Sequence, residues 1–231
     1  MKSQQWKTYA FEFLSIFVAV ISAFALNNWN ENQRDHRAET KILTEILHGL
    51  EKDIWDVQEN MTGHQQALKA CAYFNRVILG QETNVDTVQN YYFGFIRDFI
   101  SIQNTSGYET LKSRGLELVR NDSLRTDIIS LYEYQYKTLK TLEEDYYELQ
   151  FQENYFREMN QILAPHLQFD DQGDITGLSL PIDIGEEERQ LFQSYLWKIS
   201  FNRRWILKFY VALEKKIERL RQKITIELAN S

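Results

Sequence analysis

The sequence predicts an all-α protein: a single N-terminal transmembrane helix followed by an elongated antiparallel helical bundle with coiled-coil-like packing. Three observations predict it. Turn-formers are scarce, with 9 Gly and 2 Pro in 231 residues, which favours long helices and few connections. Apolar residues recur in heptads over long stretches, the pattern of helices packed along a narrow seam. The run from Thr8 to Leu26, TYAFEFLSIFVAVISAFAL, holds one charge, Glu12. As a helix it is about 28 Å long, near the hydrocarbon thickness of a bilayer.

The N-terminal run divides the chain into a tail (1–7), a span (8–26) and a helical domain (27–231). Trp6 and Trp29 flank the span, with Asn27 and Asn28 at its outer end, where amphipathic and polar side chains suit the headgroup level. A cleaved signal is the competing reading. Lys2 and Lys7 supply a basic start and Ala23-Phe24-Ala25 a small-x-small site, but no polar stretch precedes that site, and a retained anchor is favoured. Arg34, Arg37 and Lys41 are mixed with Glu31, Asp35 and Glu39, so flanking charge barely selects an orientation. A seven-residue tail ahead of a large acidic domain fits a cytoplasmic N-terminus and a periplasmic domain.

Glu12 shares a helix face with Ser15, Ala19, Ser22 and Ala23. Small residues spaced by four let two membrane helices approach, and a polar side chain in the seam gains a partner there. The expectation is a homo-oligomer with Glu12 in its seam. The bland alternative is snorkelling toward the headgroups near Lys7. An ion- or proton-conducting assembly titrating at Glu12 is the alternative function.

Five helices are expected beyond the span, at about 31–79, 85–102, 107–114, 122–163 and 186–229. In the first, Leu43, Leu47, Leu50, Ile54, Val57 and Met61 step by fours and threes, and Leu68 follows. Gly63 is a plausible break and Gly80 a terminator. Val85, Val88, Tyr92, Phe95 or Ile96, Phe99 and Ile102 mark one side of the second. Ser106 and Glu109 have the form of a capping box, Gly115 ends the third helix, and Asn121 supplies the next N-cap. Pro165 stops the fourth, and 164–185 reads as an extended loop without strands. The last carries two heptad rows: Phe192, Ile199, Ile206, Leu213 and Leu220, and Leu196, Arg203, Tyr210, Ile217 and Ile224. Arg203 alone breaks the second row.

Composition excludes several functions. The first 26 residues hold two Lys and one Glu, leaving 24 basic and 32 acidic side chains, a charge of −8; such a domain offers no footprint for nucleic acid. The lone Cys71 makes no intrachain disulfide. Glu45 and His48 form half of a di-iron carboxylate pair with no second half. Phe169 to Asp174 lacks the alternation of a calcium loop. No phosphate loop, nucleophile elbow or zinc spacing occurs, so no enzyme, cofactor or metal is expected. Lys112, Arg114, Arg120 and Arg125 form a basic cluster suited to an anion or a partner. The rings of Tyr132, Tyr134, Tyr136, Tyr146, Tyr147 and Tyr155 are too many for one core stripe, and some are expected at a protein contact.

Glu12 in a helix ending Leu26-Asn27-Asn28-Trp29-Asn30-Glu31, together with Tyr108-Glu109-Thr110-Leu111-Lys112-Ser113, Leu118-Val119-Arg120-Asn121 and Leu124-Arg125, resembles a family of bacterial single-span membrane proteins known as a domain of unknown function. Arg114 stands where that family's pattern has a small residue before Gly115. The resemblance implies the inner membrane and supplies no activity. The functional expectation is a non-catalytic, self-associating scaffold, sensor or accessory subunit contacting membrane lipid, itself and a protein partner.

Overall fold

The computed structural model describes residues 2–81 and 83–230, without the side chains of residues 2–10 and Ile96. It is mostly helical, with one two-stranded sheet. Helix α1 runs unbroken over Lys2–Ile78. No proline lies within it, and its apolar N-terminal part is long and apolar enough to cross a membrane. The residues of that part are exposed from Phe11 onward. The side chain of Trp6 lies outside the described residues.

The break expected at Gly63 is absent, and the reason is steric. A Cβ there would stand 2.2 Å from a ring carbon of Phe99. Gly63 is a slot that admits an aromatic ring, at a helix-propensity cost of about 1 kcal/mol that the helix absorbs. At Gly80 (φ +67°) the chain turns as expected. The Asn84 side chain then accepts from Asp86 N–H, and α2 covers Val88–Ile96.

The second helix was expected to reach residue 102, but it stops at Ile96. From Arg97 (φ −84°, ψ 133°) the chain leaves the helix and crosses α1 without regular structure as far as Asn104. Side-chain carboxylates take the backbone N–H groups of Ser101, Ile102 and Asn104. A path whose donors are satisfied in this way competes with a helix. Helix α3 covers Ser106–Arg114. Its N-cap is Thr105, without a side-chain bond, so the expected Ser106–Glu109 box does not form. Gly107 lets α3 press on α1, since a Cβ would meet Ile46 at 2.9 Å. Asn121 caps α4 (Asp122–Ser130) by accepting from Leu124 N–H at 3.1 Å.

The single helix expected over 122–163 is a series of pieces. After α4 come a π-helical turn at Leu131–Tyr136, α5 (Lys137–Lys140), a second at Thr141–Asp145, a break at 146–150, a third at Gln152–Phe156, and α6 (Arg157–Leu163). Each wide turn rephases the helix, and such insertions gather at functional positions. Here they bring Tyr132, Gln135, Tyr136 and Glu143 to the buried side. The expected loop contains a hairpin, β1 (Leu167–Phe169) and β2 (Ile175–Leu178), antiparallel with Leu167 opposite Leu178 and a bulge at Gln168–Phe169. Three and four residues are too few for alternation to show. Asp170 closes its turn by accepting from Gln172 and Asp174 N–H at 2.9 Å, so the acidic run is a turn.

Helix α7 (Glu186–Ala229) returns antiparallel along α1. Gln193 meets Asn75, and Gln58 meets Glu214. Both heptad rows of α7 are buried, from Phe192 to Ile224, Arg203 included.

Candidate functional site

The seam of α1 carries two polar side chains at core positions, Asp53 beside Leu50 and Val57, and His64 one heptad after Val57. Both are buried. They anchor a polar centre that sequence reasoning missed. Asp53 Oδ1 accepts from Asn104 N–H and Asn104 Nδ2, each at 2.7 Å, and Oδ2 from the Tyr136 hydroxyl at 2.6 Å. One turn on, Asp56 accepts from the Ser101 hydroxyl and from Ile102 N–H at 3.0 Å. Glu143, on the second π-helical turn, accepts from Ser101 N–H at 3.1 Å and from the Tyr210 hydroxyl. Three carboxylates from two elements thus hold the 97–104 segment as a strap over α1.

Arg203 closes the other end. Its guanidinium is fully buried and lies 4.1 Å over the Phe151 ring and 5.3 Å from that of Phe99. It donates to the carbonyls of Arg97 at 2.9 Å and Phe95 at 3.4 Å, and faces His64 Nδ1 at 3.2 Å. The break at 146–150 has its reason here. It frees the Glu148 carbonyl for Asn202 Nδ2 at 2.7 Å and lets Phe151 swing over the cation. The charge is spread over carbonyl dipoles and ring faces, with Asp98 acting on it through space.

A guanidinium has only donors, so His64 Nδ1 accepts and the ring proton sits on Nε2. That buried atom has no hydrogen-bond partner among the described residues. The ring lines a small cavity of about 10 Å³ with Asp98, Phe99, Glu143, Leu149, Phe151 and Ile206, the volume of about one water.

Burial shapes the electrostatics. It pushes Glu143 up to about 7, against the hydrogen bonds of Tyr210 and Ser101, and pulls His64 down to about 3, helped by neighbouring Arg203. Asp53 and Asp98 are raised by burial as well. In the fold Glu143 holds a proton that an unfolded chain, near 4.5, has released. Its contribution is complete below pH 4.5 and is lost as pH climbs through 7. His64 is neutral in the fold and ordinarily titrates near 6.5, so its contribution is present above pH 6.5 and lost as pH falls toward 3. The two slopes oppose one another across pH 4.5–6.5. In Glu143→Gln the His64 slope is expected to stand more exposed, so the stability of wild type minus variant falls with pH from 4.5 to 7. Thermal midpoints across pH measure this, and parallel profiles would contradict it.

The sequence-predicted positions lie elsewhere. Glu12, Ser15, Ala19, Ser22 and Ala23 are all exposed on α1, and Ser15 donates to the Phe11 carbonyl at 2.8 Å. Asn27 donates to Glu31 at 3.1 Å. Asn28 and Trp29 are exposed, and Trp29 lines a surface groove with Asn30, Gln33, Arg34 and Arg37. Most of the basic cluster is engaged within the chain. Lys112 pairs with Glu133 at 3.1 Å, Arg125 with Asp122 at 2.7 Å and Glu117 at 3.2 Å, and Arg120 lies against Glu39. Arg114 forms no ion pair among the described residues and lines a shallow depression with Asn32, Asp35 and Glu117. The tyrosines divide: Tyr132, Tyr136 and Tyr155 are core, while Tyr134, Tyr146 and Tyr147 are exposed. Glu45 and His48 are exposed. Among the described residues no group of three or more His, Cys, Asp or Glu could hold a metal ion.

No family model matches the chain, and comparison with curated proteins and with solved structures returns no match. The family resemblance therefore rests on the residues that carry it.

Proposed function

We propose that this chain is a single-span protein of a bacterial inner membrane, its periplasmic part an elongated antiparallel bundle with coiled-coil-like packing. In this reading it works as a self-associating scaffold, sensor or accessory subunit, without catalysis. The observation that carries it is the continuity of α1, which joins the apolar N-terminal stretch to the buried seam without a break. A helix of that kind hands displacement at one end to the other. The polar centre supports a structural role over a catalytic one. Its carboxylates are committed to the strap, and its cavity of about 10 Å³ has no room for a substrate.

Self-association through the span is supported by the exposed face of Glu12, Ser15, Ala19, Ser22 and Ala23. A carboxylate exposed there is costly in hydrocarbon unless a partner or the headgroups receive it. The same placement favours a second reading, a conducting assembly with Glu12 in its path. The deciding measurement is the mass of the detergent-extracted protein by light scattering corrected for bound detergent, wild type beside Glu12→Leu. A defined oligomer that dissociates in the variant is expected. A monomer in both proteins would make the span a plain tether and remove both readings.

A further inference from the structure

We propose that a second copy of this chain docks on an aromatic ridge of α7, far from the membrane and apart from the intramembrane seam; the proposal rests on the membrane-anchored reading above. Trp197, Phe201 and Trp205 stand four residues apart on the solvent side of α7, and Trp197 stacks on Phe201 with centroids 5.4 Å apart. Beside them, the break at 146–150 raises a knuckle whose Tyr146 ring lies 6.1 Å from Trp205. The five rings, with Tyr147, are 43% to 65% exposed. At roughly 100 Å² of free surface each, they form a patch of about 500 Å², at the upper end for a monomer's largest apolar patch.

Three features select a second copy as the occupant. The first is height. Arg203 lies level with His64, which is about 57 Å along α1 from Leu26 at 1.5 Å per residue. Lipid of the chain's own membrane is out of reach, whereas every copy anchored in that membrane presents the ridge at the same level. A two-fold axis along the membrane normal then brings ridge to ridge. The second is charge. Lys198, Arg204 and Lys208 are exposed along the ridge, and Asp145 and Glu148 are exposed on the knuckle. None of these five forms an ion pair within the chain among the described residues. A two-fold contact faces one copy's basic ridge with the other's acidic knuckle, which fixes partner and register. The third is area. Two such patches bury about 1,000 Å² before their polar rims are added, near the lower bound of a specific interface. Tethering in one membrane raises the effective concentration and makes a contact of that size sufficient.

The test is crosslinking of the full-length chain in its membrane with a short bismaleimide. Phe201→Cys reports the ridge, Thr62→Cys an exposed polar face of α1 at a similar height, and Ala23→Cys the span. Phe201→Cys is expected to give a dimer severalfold more abundant than Thr62→Cys. Adding Trp197→Ala and Arg204→Glu to Phe201→Cys should suppress that dimer, and these exposed changes leave helix content by circular dichroism unaltered. Reversing the knuckle with Asp145→Lys and Glu148→Lys in the Arg204→Glu background should restore it. If Ala23→Cys crosslinks and Phe201→Cys does not exceed Thr62→Cys, the ridge proposal is overturned while span-mediated association stands. If neither crosslinks, both fall. A Phe201→Cys product joined to a different polypeptide would overturn the proposal in favour of a heterologous partner.

Discussion

Replacing Arg203 with Leu completes the second heptad row of α7 in apolar residues, and it is expected to destabilise the protein by about 3–5 kcal/mol. Pattern alone would predict the opposite. The guanidinium donates to the carbonyls of Phe95 and Arg97 and faces His64 Nδ1. Its loss leaves two buried acceptors, the Phe95 carbonyl and His64 Nδ1, and the part-buried Arg97 carbonyl unpaired, at about 1–3 kcal/mol for each buried one. Relief of a buried cation offsets part of this, and Leu refills only part of the space beneath Phe151. Arg203→Lys should rescue little, since one ammonium cannot reproduce a planar fork that reaches several acceptors at once. The thermal midpoint reads the global effect. Amide hydrogen exchange reads where it falls, and the stretch from Phe95 to Asn104 should lose protection before the ends of α7. An unchanged midpoint would mean that the guanidinium holds nothing.

The second large effect is expected at Asp53. Asp53→Ala leaves Asn104 N–H, Asn104 Nδ2 and the Tyr136 hydroxyl without their acceptors, an expected loss of about 3–5 kcal/mol by the same accounting. Asp53→Asn should cost only about 1 kcal/mol. Its amide oxygen still accepts from Asn104, and the hydroxyl of Tyr136 can turn and accept from the new NH₂ group. The contrast between the two substitutions is the informative part. Equal losses, read by thermal midpoint and by exchange at Asn104, would show that Asp53 contributes packing and not acceptors.

Much of this architecture was legible because long helices repeat their instructions. The rows beginning at Leu43 and Phe192 recur often enough to mark two long helices; both α7 rows are buried, whereas in α1 Leu43, Leu50 and Val57 are buried and Leu47, Ile54, Met61 and Leu68 only half-buried, the core side turning instead toward Ile46, Asp53, Ala67 and Phe74. Asn121 announces its cap through one local bond. What stayed hidden depends on partners distant in sequence. Nothing near Phe99 says that Gly63, 36 residues earlier, leaves a slot for its ring, or that the N–H groups of Ser101 and Asn104 are claimed by Glu143 and Asp53. Local periodicity therefore extended α2 to residue 102 and made 122–163 one helix. The polar centre did leave a trace. His64 and Arg203 each occupy a heptad position where an apolar residue belongs, and Asp53 follows Ile46 by seven residues on the same buried side. Taken singly, each reads as a tolerated exception; taken together, with Arg203 level with His64 and Asp53 about three turns nearer the N-terminus, they mark the two ends of one buried site.

The unbroken α1 also stores angular information. Each residue of a helix advances its direction by about 100° and its height by about 1.5 Å, so the number of residues between Glu12 and Asp53 sets the azimuth at which the small-residue face of Glu12 points relative to the strap. No flexible joint lies between them to absorb an error of phase. One inserted residue would swing that face about a quarter-turn around the axis, whereas seven would move it about 10 Å along the helix and nearly restore its bearing. Residues 27–38 are polar and exposed at most positions, yet their number, through the helix phase, sets that bearing.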